Sequence, residues 1–277
     1  MKSLRVTVDD DLDLDRIINS GQCFRPAKTG ERTFMFVTGQ HRVTITDETP
    51  GKTGDKDPDS ATVLSASCSQ KEWDEVWHPY FDLDTNYRQI RKSIPKEDAY
   101  LTEAAASGAG IRILRQDKFE TLISFIISQR KSIPAIRTAV ERLTELFGKD
   151  GYFPRPENML GADHEKLSSC GLGYRCPYIS SAVSRIATGE VDLDELSDLS
   201  DEELVKELKS FAGVGDKVAN CVALFAYHRT GRAPVDTWIA RIINERYNGC
   251  DPFGKYGSVA GIMQQYMFYH AQSAKRV

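Results

Sequence analysis

The stretch Leu208-Lys-Ser-Phe-Ala-Gly-Val-Gly-Asp-Lys-Val-Ala219 decides the fold of the helical part of this 277-residue chain. The pattern predicts that one amphipathic helix ends at Phe211 and that another begins near Asp216. Between them, the two glycines of Gly213-Val214-Gly215 let the backbone turn tightly and approach another molecule closely. The amides of this turn, with the positive end of the following helix, form a site for an anion such as a phosphate.

Two interpretations of this helix-hairpin-helix pattern are open. A bare Gly-Val-Gly is about as often a tight connection between helices as a contact with DNA phosphates. The flanking pattern Leu-x-x-Phe-x-Gly-Val-Gly-x-Lys-x-Ala makes the match more specific. We therefore expect Gly213 and Gly215 to lie against a DNA backbone without reading its sequence, while Val214 packs inward.

Patterning outward from the hairpin divides the chain into a strand-like first part and a helical second part, which begins after about Tyr87. In the first part we predict strands at Leu4–Val8, Phe34–Val37, Arg42–Thr46 and Thr62–Ser67, a turn at 38–40, a helix over 12–19 and a loop over 50–60. In the second part we predict capping boxes at Asp117–Glu120 and Ser200–Glu203, and helices over 132–147 and 178–187.

These elements predict an α+β fold class. An N-terminal antiparallel β-sheet domain is expected over residues 1–90, and a C-terminal all-α domain with the helix-hairpin-helix over residues 91–277. The two lobes of the helical domain are expected to enclose a cleft.

The overall charge is unfavourable for binding nucleic acid, but its distribution is not. The formal net charge is −4. Residues 112–142 carry seven Lys or Arg against three acids, and residues 206–246 carry seven against four. Residues 192–203 carry seven acids and no base. A basic face on an acidic body is thus open beside ordinary solvated helix surfaces, because a phosphate contact depends on local potential.

The sequence contains no targeting signal or cysteine motif that we can identify. No apolar run is long enough to span a bilayer, and residues 1–15 lack the apolar core of a signal peptide. The six cysteines form no Cys-x-x-Cys pair, which argues against a zinc ribbon and a disulfide framework. We expect a cytoplasmic protein of a prokaryote with no membrane partner.

The segment Ala233-Pro-Val-Asp-Thr237 follows the hairpin and places Asp236 nineteen residues after Lys217. Each residue alone has an ordinary interpretation, since most helix lysines are solvated and an aspartate before a helix is a good N-cap. In combination they resemble the helix-hairpin-helix (HhH-GPD) glycosylase superfamily, and within it the prokaryotic-type 8-oxoguanine DNA glycosylase/AP lyases. The matching motifs span nearly the whole chain: Ser20-Gly-Gln-Cys-Phe-Arg25, Ser124-Phe-Ile-Ile-Ser128, Gly171-Leu-Gly-Tyr-Arg175, the hairpin with Lys217, Pro234-Val-Asp236 and Gln264-Gln-Tyr-Met-Phe268.

The resemblance implies a bifunctional DNA repair enzyme in which Lys217 and Asp236 are catalytic. Breaking the bond between a purine and deoxyribose builds positive charge on the sugar, which the carboxylate of Asp236 would stabilise. The amine of Lys217 would attack C1′ and form a Schiff base. The imine would acidify the C2′ proton, so that β-elimination nicks the strand. Asp236 would cap its helix as well.

The resemblance also implies a pocket for a base flipped out of the stack. Phe268 would stack on one face of the base, and Cys221, four residues after Lys217, would pack on the other. Gln264 would hydrogen-bond the Watson–Crick edge. The carbonyl of Gly21 would accept a hydrogen bond from N7–H of 8-oxoguanine and repel the N7 acceptor of guanine. Each residue also has an ordinary alternative: a core aromatic for Phe268, a buried small residue for Cys221, a surface amide for Gln264 and a turn glycine for Gly21.

Contacts with the surrounding duplex are implied for Tyr174 and Arg175, which would wedge into the stack and meet the orphaned base. A plain surface turn is the alternative. The chain departs from the family at Gln129-Arg130-Lys131-Ser132, where eukaryotic members carry an asparagine run. It also has Ala135 in place of a family arginine and Trp238 in place of a family histidine. We therefore expect less strict selection for cytosine opposite the lesion, with Arg130 filling part of the gap.

Competing classes differ from this interpretation in identifiable residues. Endonuclease III and adenine-mismatch enzymes usually carry an iron–sulfur cluster on four C-terminal cysteines, whereas only Cys250 lies in that region here. Alkyladenine glycosylases of this fold typically lack the lysine. A non-catalytic DNA-binding protein would need neither Lys217 nor Asp236. No Walker loop, dinucleotide fingerprint or metal-ligand spacing supports a metabolic enzyme.

The implied partner is double-stranded DNA containing 8-oxoguanine. We expect the protein to act as a monomer, with no cofactor, no iron–sulfur cluster and no metal for the chemistry. An ion held by the hairpin carbonyls would be structural.

Overall fold

The computed structural model describes residues 3–50 and 61–273, and within them five strands form one antiparallel sheet beside a helical domain. The strands are β1 (Leu4–Val8), β2 (Ala27–Lys28), β3 (Thr33–Thr38), β4 (His41–Asp47) and β5 (Thr62–Ala66). Their order in the sheet is β1-β5-β4-β3-β2, and every neighbouring pair is antiparallel. The predicted α+β fold class is confirmed.

The β3–β4 hairpin shows how local sequence sets the sheet register. Thr38 pairs with His41, so the connection consists of Gly39 and Gln40 alone. Gly39 has φ +52°, a conformation that glycine adopts without steric cost. The turn predicted at 38–40 is therefore confirmed, but Thr38 belongs to the strand and the turn itself is residues 39 and 40.

Alternation along the strands puts one face of the sheet into an apolar core. Phe36, Val43 and Ile45 are fully buried there. They pack with aromatic residues of the helical segment that follows β5, and the rings of Phe36 and Phe81 meet edge-on at 4.9 Å. This core is separate from the larger core of the helical domain.

The described residues form fourteen α-helices, and most of these lie in the helical part of the chain. They are α1 (Leu14–Asn19), α2 (Gln70–Glu72), α3 (His78–Tyr80), α4 (Tyr87–Lys92), α5 (Ala99–Ser107), α6 (Lys118–Ser128), α7 (Ile133–Phe147), α8 (Pro156–Met159), α9 (His164–Ser169), α10 (Cys176–Ala187), α11 (Asp201–Leu208), α12 (Asp216–Phe225), α13 (Thr237–Arg246) and α14 (Ala260–Ser273). A π-helical turn, Trp73–Trp77, joins α2 to α3, and 3-10 turns occur at Gly173–Arg175, Glu195–Asp198 and Gly254–Val259. Among the described helices, none has the length and apolarity needed to cross a bilayer.

Several element boundaries differ from the predicted ones. The first helix begins at Leu14, and the helix before the hairpin ends at Leu208. Strand β2 was not predicted, because two residues carry too little alternation to be recognised. Apart from Pro50, the loop predicted over 50–60 lies outside the described residues. The division at residues 90 and 91 stays a prediction.

The two predicted capping boxes have different outcomes. At α11 the hydroxyl of Ser200 accepts a hydrogen bond from the amide of Glu203, and the carboxylate of Glu203 accepts one from the amide of Ser200. This capping box is therefore confirmed. At α6 Asp117 caps the helix, but the carboxylate of Glu120 forms an ion pair with Arg25 at 3.2 Å instead. The second half of that box was wrong, because a buried cation competes for the carboxylate.

A buried guanidinium connects the sheet domain to the helical domain. Arg112 is fully buried and forms an ion pair with the carboxylate of Asp10 at 2.9 Å. Its other N–H groups donate to the carbonyls of Asp11, Phe81, Asp82 and Thr85. The guanidinium also lies 4.3 Å from the ring centroid of Tyr87. Arg112 lies beyond the predicted division at residues 90 and 91, and all of these partners lie before it, so the guanidinium joins the two predicted parts of the chain.

We expect Arg112→Met to lower the free energy of unfolding by about 3–5 kcal/mol, because it leaves a partly buried carboxylate and several carbonyls without a donor. Urea unfolding measures this change. Arg5→Met is the matched control, since Arg5 pairs with Glu48 at an exposed site and its loss should cost less than about 1 kcal/mol. Equal costs for the two variants would contradict the role given to Arg112.

Candidate active site

The hairpin between α11 and α12 has the geometry of a phosphate-binding turn. The amide of Val214 donates to the carbonyl of Phe211 at 3.0 Å, and the Val214 side chain is buried. Gly213 has φ +77°, and a Cβ there would lie 2.4 Å from the ring of Tyr178. Gly215 precedes α12 and is exposed, with open space beside its Cα. The turn therefore presents bare backbone at the positive end of a helix.

Lys217 lies in the first turn of α12 and points across a cleft towards α6. Its Nζ is 3.4 Å from the hydroxyl of Ser128 and 5.1 Å from the ring centroid of Phe125. One helical turn later, Cys221 is buried. Burial raises the pKa of the Cys221 thiol, and the charge of Lys217 offsets this only in part. The thiol is therefore uncharged and lines the pocket beside the amine of Lys217.

Asp236 caps helix α13 with only one of its two carboxylate oxygens. Its Oδ1 accepts hydrogen bonds from the amides of Trp238 at 3.0 Å and Ile239 at 2.9 Å. Within the described part of the chain, Oδ2 has no hydrogen-bond donor. The N-cap interpretation and the catalytic interpretation are thus compatible, because the second oxygen is left for a ligand in the cleft.

The predicted catalytic and base-binding residues converge on one place. A cleft of about 900 Å³ is lined by Lys217 and Asp236 together with residues of α6, α7, α13 and α14. A small pocket of about 40 Å³ lies at its inner end. Its walls include the six predicted residues Gly21, Lys217, Cys221, Asp236, Gln264 and Phe268.

The ring of Phe268 closes this inner pocket. A Cβ on Gly21 would lie 2.8 Å from Cε1 of Phe268, so the ring rests directly on the glycine backbone. A volume of about 40 Å³ holds water molecules but no purine. A purine would therefore enter this pocket only if Phe268, which is partly exposed, moved off Gly21.

Two hydrogen-bond acceptors in the pocket lack donors. The side-chain Oε1 of Gln264 is buried and unpaired. The carbonyl of Gly21 accepts no hydrogen bond from any residue that the structure describes. Buried acceptors are almost always paired in proteins, so the unpaired Oε1 of Gln264 in this pocket indicates a ligand that supplies a donor.

The predicted wedge residues line neither the cleft nor the inner pocket, and their environments differ. Tyr174 is 51% exposed, as expected of a residue that inserts into a duplex. Arg175 is buried, stacks on Tyr174 at 4.2 Å and donates to the backbone carbonyls of Leu172 and Gln129. In this conformation Arg175 holds two loops together, and its contact with an orphaned base stays a prediction.

Arg130 is exposed and lines the cleft. It has φ +52°, in the left-handed region that non-glycine residues rarely occupy. Trp238, at the start of α13, also lines the cleft. Ser132 caps α7 beside them, through the amide of Ala135. The segment that departs from the family pattern thus forms one side of the cleft.

Four residues that line the inner pocket were not predicted to do so: Phe125, Phe225, Pro234 and Gln265. Phe125 lies in the quoted motif Ser124–Ser128, but nothing in the pattern marked it as the ring beneath Lys217. Gln265 stands next to Gln264, and a helix turns successive side chains away from each other. The side chain of Gln265 is nevertheless buried and lines the same pocket.

Two family models match consecutive parts of this chain and together cover most of it. Residues 3–122 match the model of the 8-oxoguanine DNA glycosylase N-terminal domain, and residues 123–260 match that of the HhH-GPD superfamily base excision DNA repair proteins. The chain is 30% identical over 229 residues to a probable N-glycosylase/DNA lyase of Methanothermobacter thermautotrophicus, an alignment that covers 69% of this chain and 71% of the relative.

Two solved structures superpose on nearly the whole chain. MBOgg1 in complex with a low-affinity DNA ligand is 33% identical, with a TM-score of 0.88, over 99% of this chain and 97% of that protein. The Clostridium acetobutylicum 8-oxoguanine glycosylase/lyase, bound to double-stranded DNA with cytosine opposite 8-oxoguanine, is 31% identical, with a TM-score of 0.84, over 99% of this chain and 100% of that protein. The chain belongs to the 8-oxoguanine DNA glycosylase family.

Membership of this family makes the protein an N-glycosylase/DNA lyase of base excision repair. Across residues 3–50 and 61–273, no group of three or more His, Cys, Asp or Glu side chains is arranged to hold a metal ion. The expected lack of a cofactor and the structural ion at the hairpin stay predictions.

We expect substitutions of Asp236 to separate its two roles. Asp236→Asn retains a good N-cap, so stability should change by less than about 0.5 kcal/mol, whereas Asp236→Ala should cost about 1 kcal/mol. Both variants remove the carboxylate charge, so glycosylase activity should fall about a hundredfold or more in each. Thermal unfolding and single-turnover excision measure the two effects. Wild-type excision by Asp236→Asn would show that Asp236 only caps the helix.

Proposed function

We propose that this protein flips 8-oxoguanine out of double-stranded DNA, excises it through a Schiff base on Lys217 and nicks the strand by β-elimination. One observation carries the proposal: a single pocket combines an amine and a carboxylate with two unpaired acceptors, the carbonyl of Gly21 and Oε1 of Gln264. The acceptors select the base, and the amine and carboxylate act on its sugar.

The selection follows from the hydrogen-bond pattern of the purine. N7 of guanine is an acceptor, whereas N7 of 8-oxoguanine carries a proton and donates. The carbonyl of Gly21 binds that donor and repels guanine. Oε1 of Gln264 accepts from the donors of the Watson–Crick edge. Phe268 moves off Gly21 and stacks on one face of the base, while the neutral thiol of Cys221 packs on the other.

Excision of the base begins with the amine of Lys217. Nζ bonds to C1′, and the C1′–N9 bond breaks with its electron pair moving to the base, which leaves with a proton. Oδ2 of Asp236 stabilises the positive charge that develops on the sugar. Loss of a proton from Nζ and opening of the C1′–O4′ bond then give the Schiff base.

Nicking of the strand follows from the same intermediate. The imine draws electrons from C2′, so a C2′ proton is removed and the C3′–O bond breaks with the phosphate as leaving group. Water then hydrolyses the imine and frees Lys217. Because both steps use the same amine, the glycosylase and lyase activities share one active site.

The grip on DNA is assigned to residues around the cleft. The amides of Gly213, Val214 and Gly215 bind a phosphate of the damaged strand. Tyr174 inserts at the lesion, and Arg130 fills part of the space left by the flipped base. With Ala135 in place of an arginine, the protein selects less strictly for cytosine opposite 8-oxoguanine. We propose that it acts as a monomer in a prokaryotic cytoplasm.

Borohydride trapping tests this proposal. Wild-type protein should form a covalent adduct with a duplex carrying 8-oxoguanine and none with the guanine duplex, because borohydride reduces the Schiff base. Lys217→Gln should lose the adduct. Lys209→Gln is the matched control, since Lys209 lies in the same hairpin paired with Asp216 at 2.6 Å and should trap as wild type at saturating enzyme.

Other outcomes of the trapping experiment would indicate three alternatives to the proposed mechanism. Base release by wild type without any adduct would indicate a monofunctional glycosylase that relies on Asp236 and water. An adduct that persists in Lys217→Gln would move the nucleophile to another amine. Neither base release nor adduct would leave a DNA-binding hairpin without this activity and overturn the proposal.

A further inference from the structure

Gln265 makes a long-range contact with the segment that carries Gly21. Its side chain is 2% exposed, and Nε2 donates to the carbonyl of Ser20 at 2.6 Å. The two residues are 245 positions apart in the chain, in helix α14 and directly after helix α1. A buried side-chain amide thus donates a hydrogen bond to the peptide unit that immediately precedes Gly21.

Gly21 needs such an external contact, because its own backbone does not hold its direction. Its φ of +79° and the ring of Phe268 against its Cα both require glycine. Glycine also has the widest choice of backbone conformations, so its carbonyl would rotate freely if the flanking peptides were loose. Planar peptides on both sides must therefore be anchored to fix φ and ψ between them.

The peptide on the far side of Gly21 is anchored by Gln22. Its Nε2 donates to the carbonyl of Arg112, and its Oε1 accepts from the amide of Leu114, each at 2.9 Å. The carbonyl of Gln22 accepts from Nε2 of Gln116 at 2.9 Å. On the near side, the hydroxyl of Ser20 donates to the carbonyl of Ile17 and accepts from Nε2 of Gln22, whereas the carbonyl of the Ser20–Gly21 peptide accepts from the amide of Gln265.

We propose that Gln265 is a positioning residue that sets substrate discrimination by fixing the direction of the Gly21 carbonyl. This rests on the proposed reading of N7–H by that carbonyl. Without the donor on Ser20, the Ser20–Gly21 peptide is free to turn, and the direction of the Gly21 carbonyl is no longer fixed. Base recognition then weakens, while the chemistry of Lys217 on a sugar that has no base is unaffected.

Comparing two reactions of the same active site tests the proposal. Single-turnover excision from a duplex with 8-oxoguanine opposite cytosine requires base recognition, whereas nicking of a duplex with a preformed abasic site does not. Gln265→Met keeps the length of the side chain and removes the donor. We expect its excision rate to fall about tenfold or more, as for the loss of one buried hydrogen bond, while its lyase rate stays within about twofold of wild type.

Two further variants separate positioning from stability. Gln265→Asn draws the amide back by one methylene, out of reach of Ser20, and should give the same shift in the ratio of excision to lyase rates. Met263→Ala is a buried truncation on the same helix, and Met263 lines neither the cleft nor the inner pocket. It should lower the melting temperature and leave the ratio unchanged.

A wild-type ratio in both Gln265 variants would overturn the positioning role while leaving the proposed function intact. A ratio that shifts equally in Met263→Ala would overturn it as well, because the effect would then follow stability. Failure of wild-type protein to excise 8-oxoguanine would reject the proposed function and, with it, the role of Gln265.

Discussion

The buried guanidinium of Arg112 is the constraint on which the active site depends. It binds backbone carbonyls of the segments that follow β1 and α3, so the chain around Arg112 is tied to the sheet and to the helical segment packed on it. The carbonyl of Arg112 itself accepts from the side chain of Gln22. The same residue therefore also anchors the peptide next to Gly21, and the proposed recognition of the base depends on the contacts of Arg112.

Much of the helical domain and its site was predictable, because local rules and tertiary demands agree there. The glycines of the hairpin, the box at Ser200 and the cap at Asp236 each have a local physical reason that sequence alone shows. The prediction failed where a distant partner decides the outcome. Glu120 leaves its capping box for Arg25, and Gln265 binds Ser20 from the other end of the chain. Neither contact leaves a periodic signal in the sequence.

Several residues of the site combine a structural task with a chemical one. Asp236 caps α13 with one oxygen, and in the proposed mechanism the other oxygen stabilises the sugar. Phe268 fills the empty pocket by resting on Gly21, and the same ring is placed to stack on a base. For such residues the ordinary interpretation and the proposed functional one are compatible, which is why each was weak as a single signal and strong in combination.

The central claim is that an unpaired backbone carbonyl selects the damaged base by its N7 proton. A crystal structure of the Lys217→Gln variant with an 8-oxoguanine duplex tests it most directly. The account predicts the base in the pocket with N7 about 2.7–3.2 Å from the carbonyl oxygen of Gly21 and with Phe268 against its face. A base bound with N7 facing another group, or with the Gly21 carbonyl turned away from it, would contradict the account.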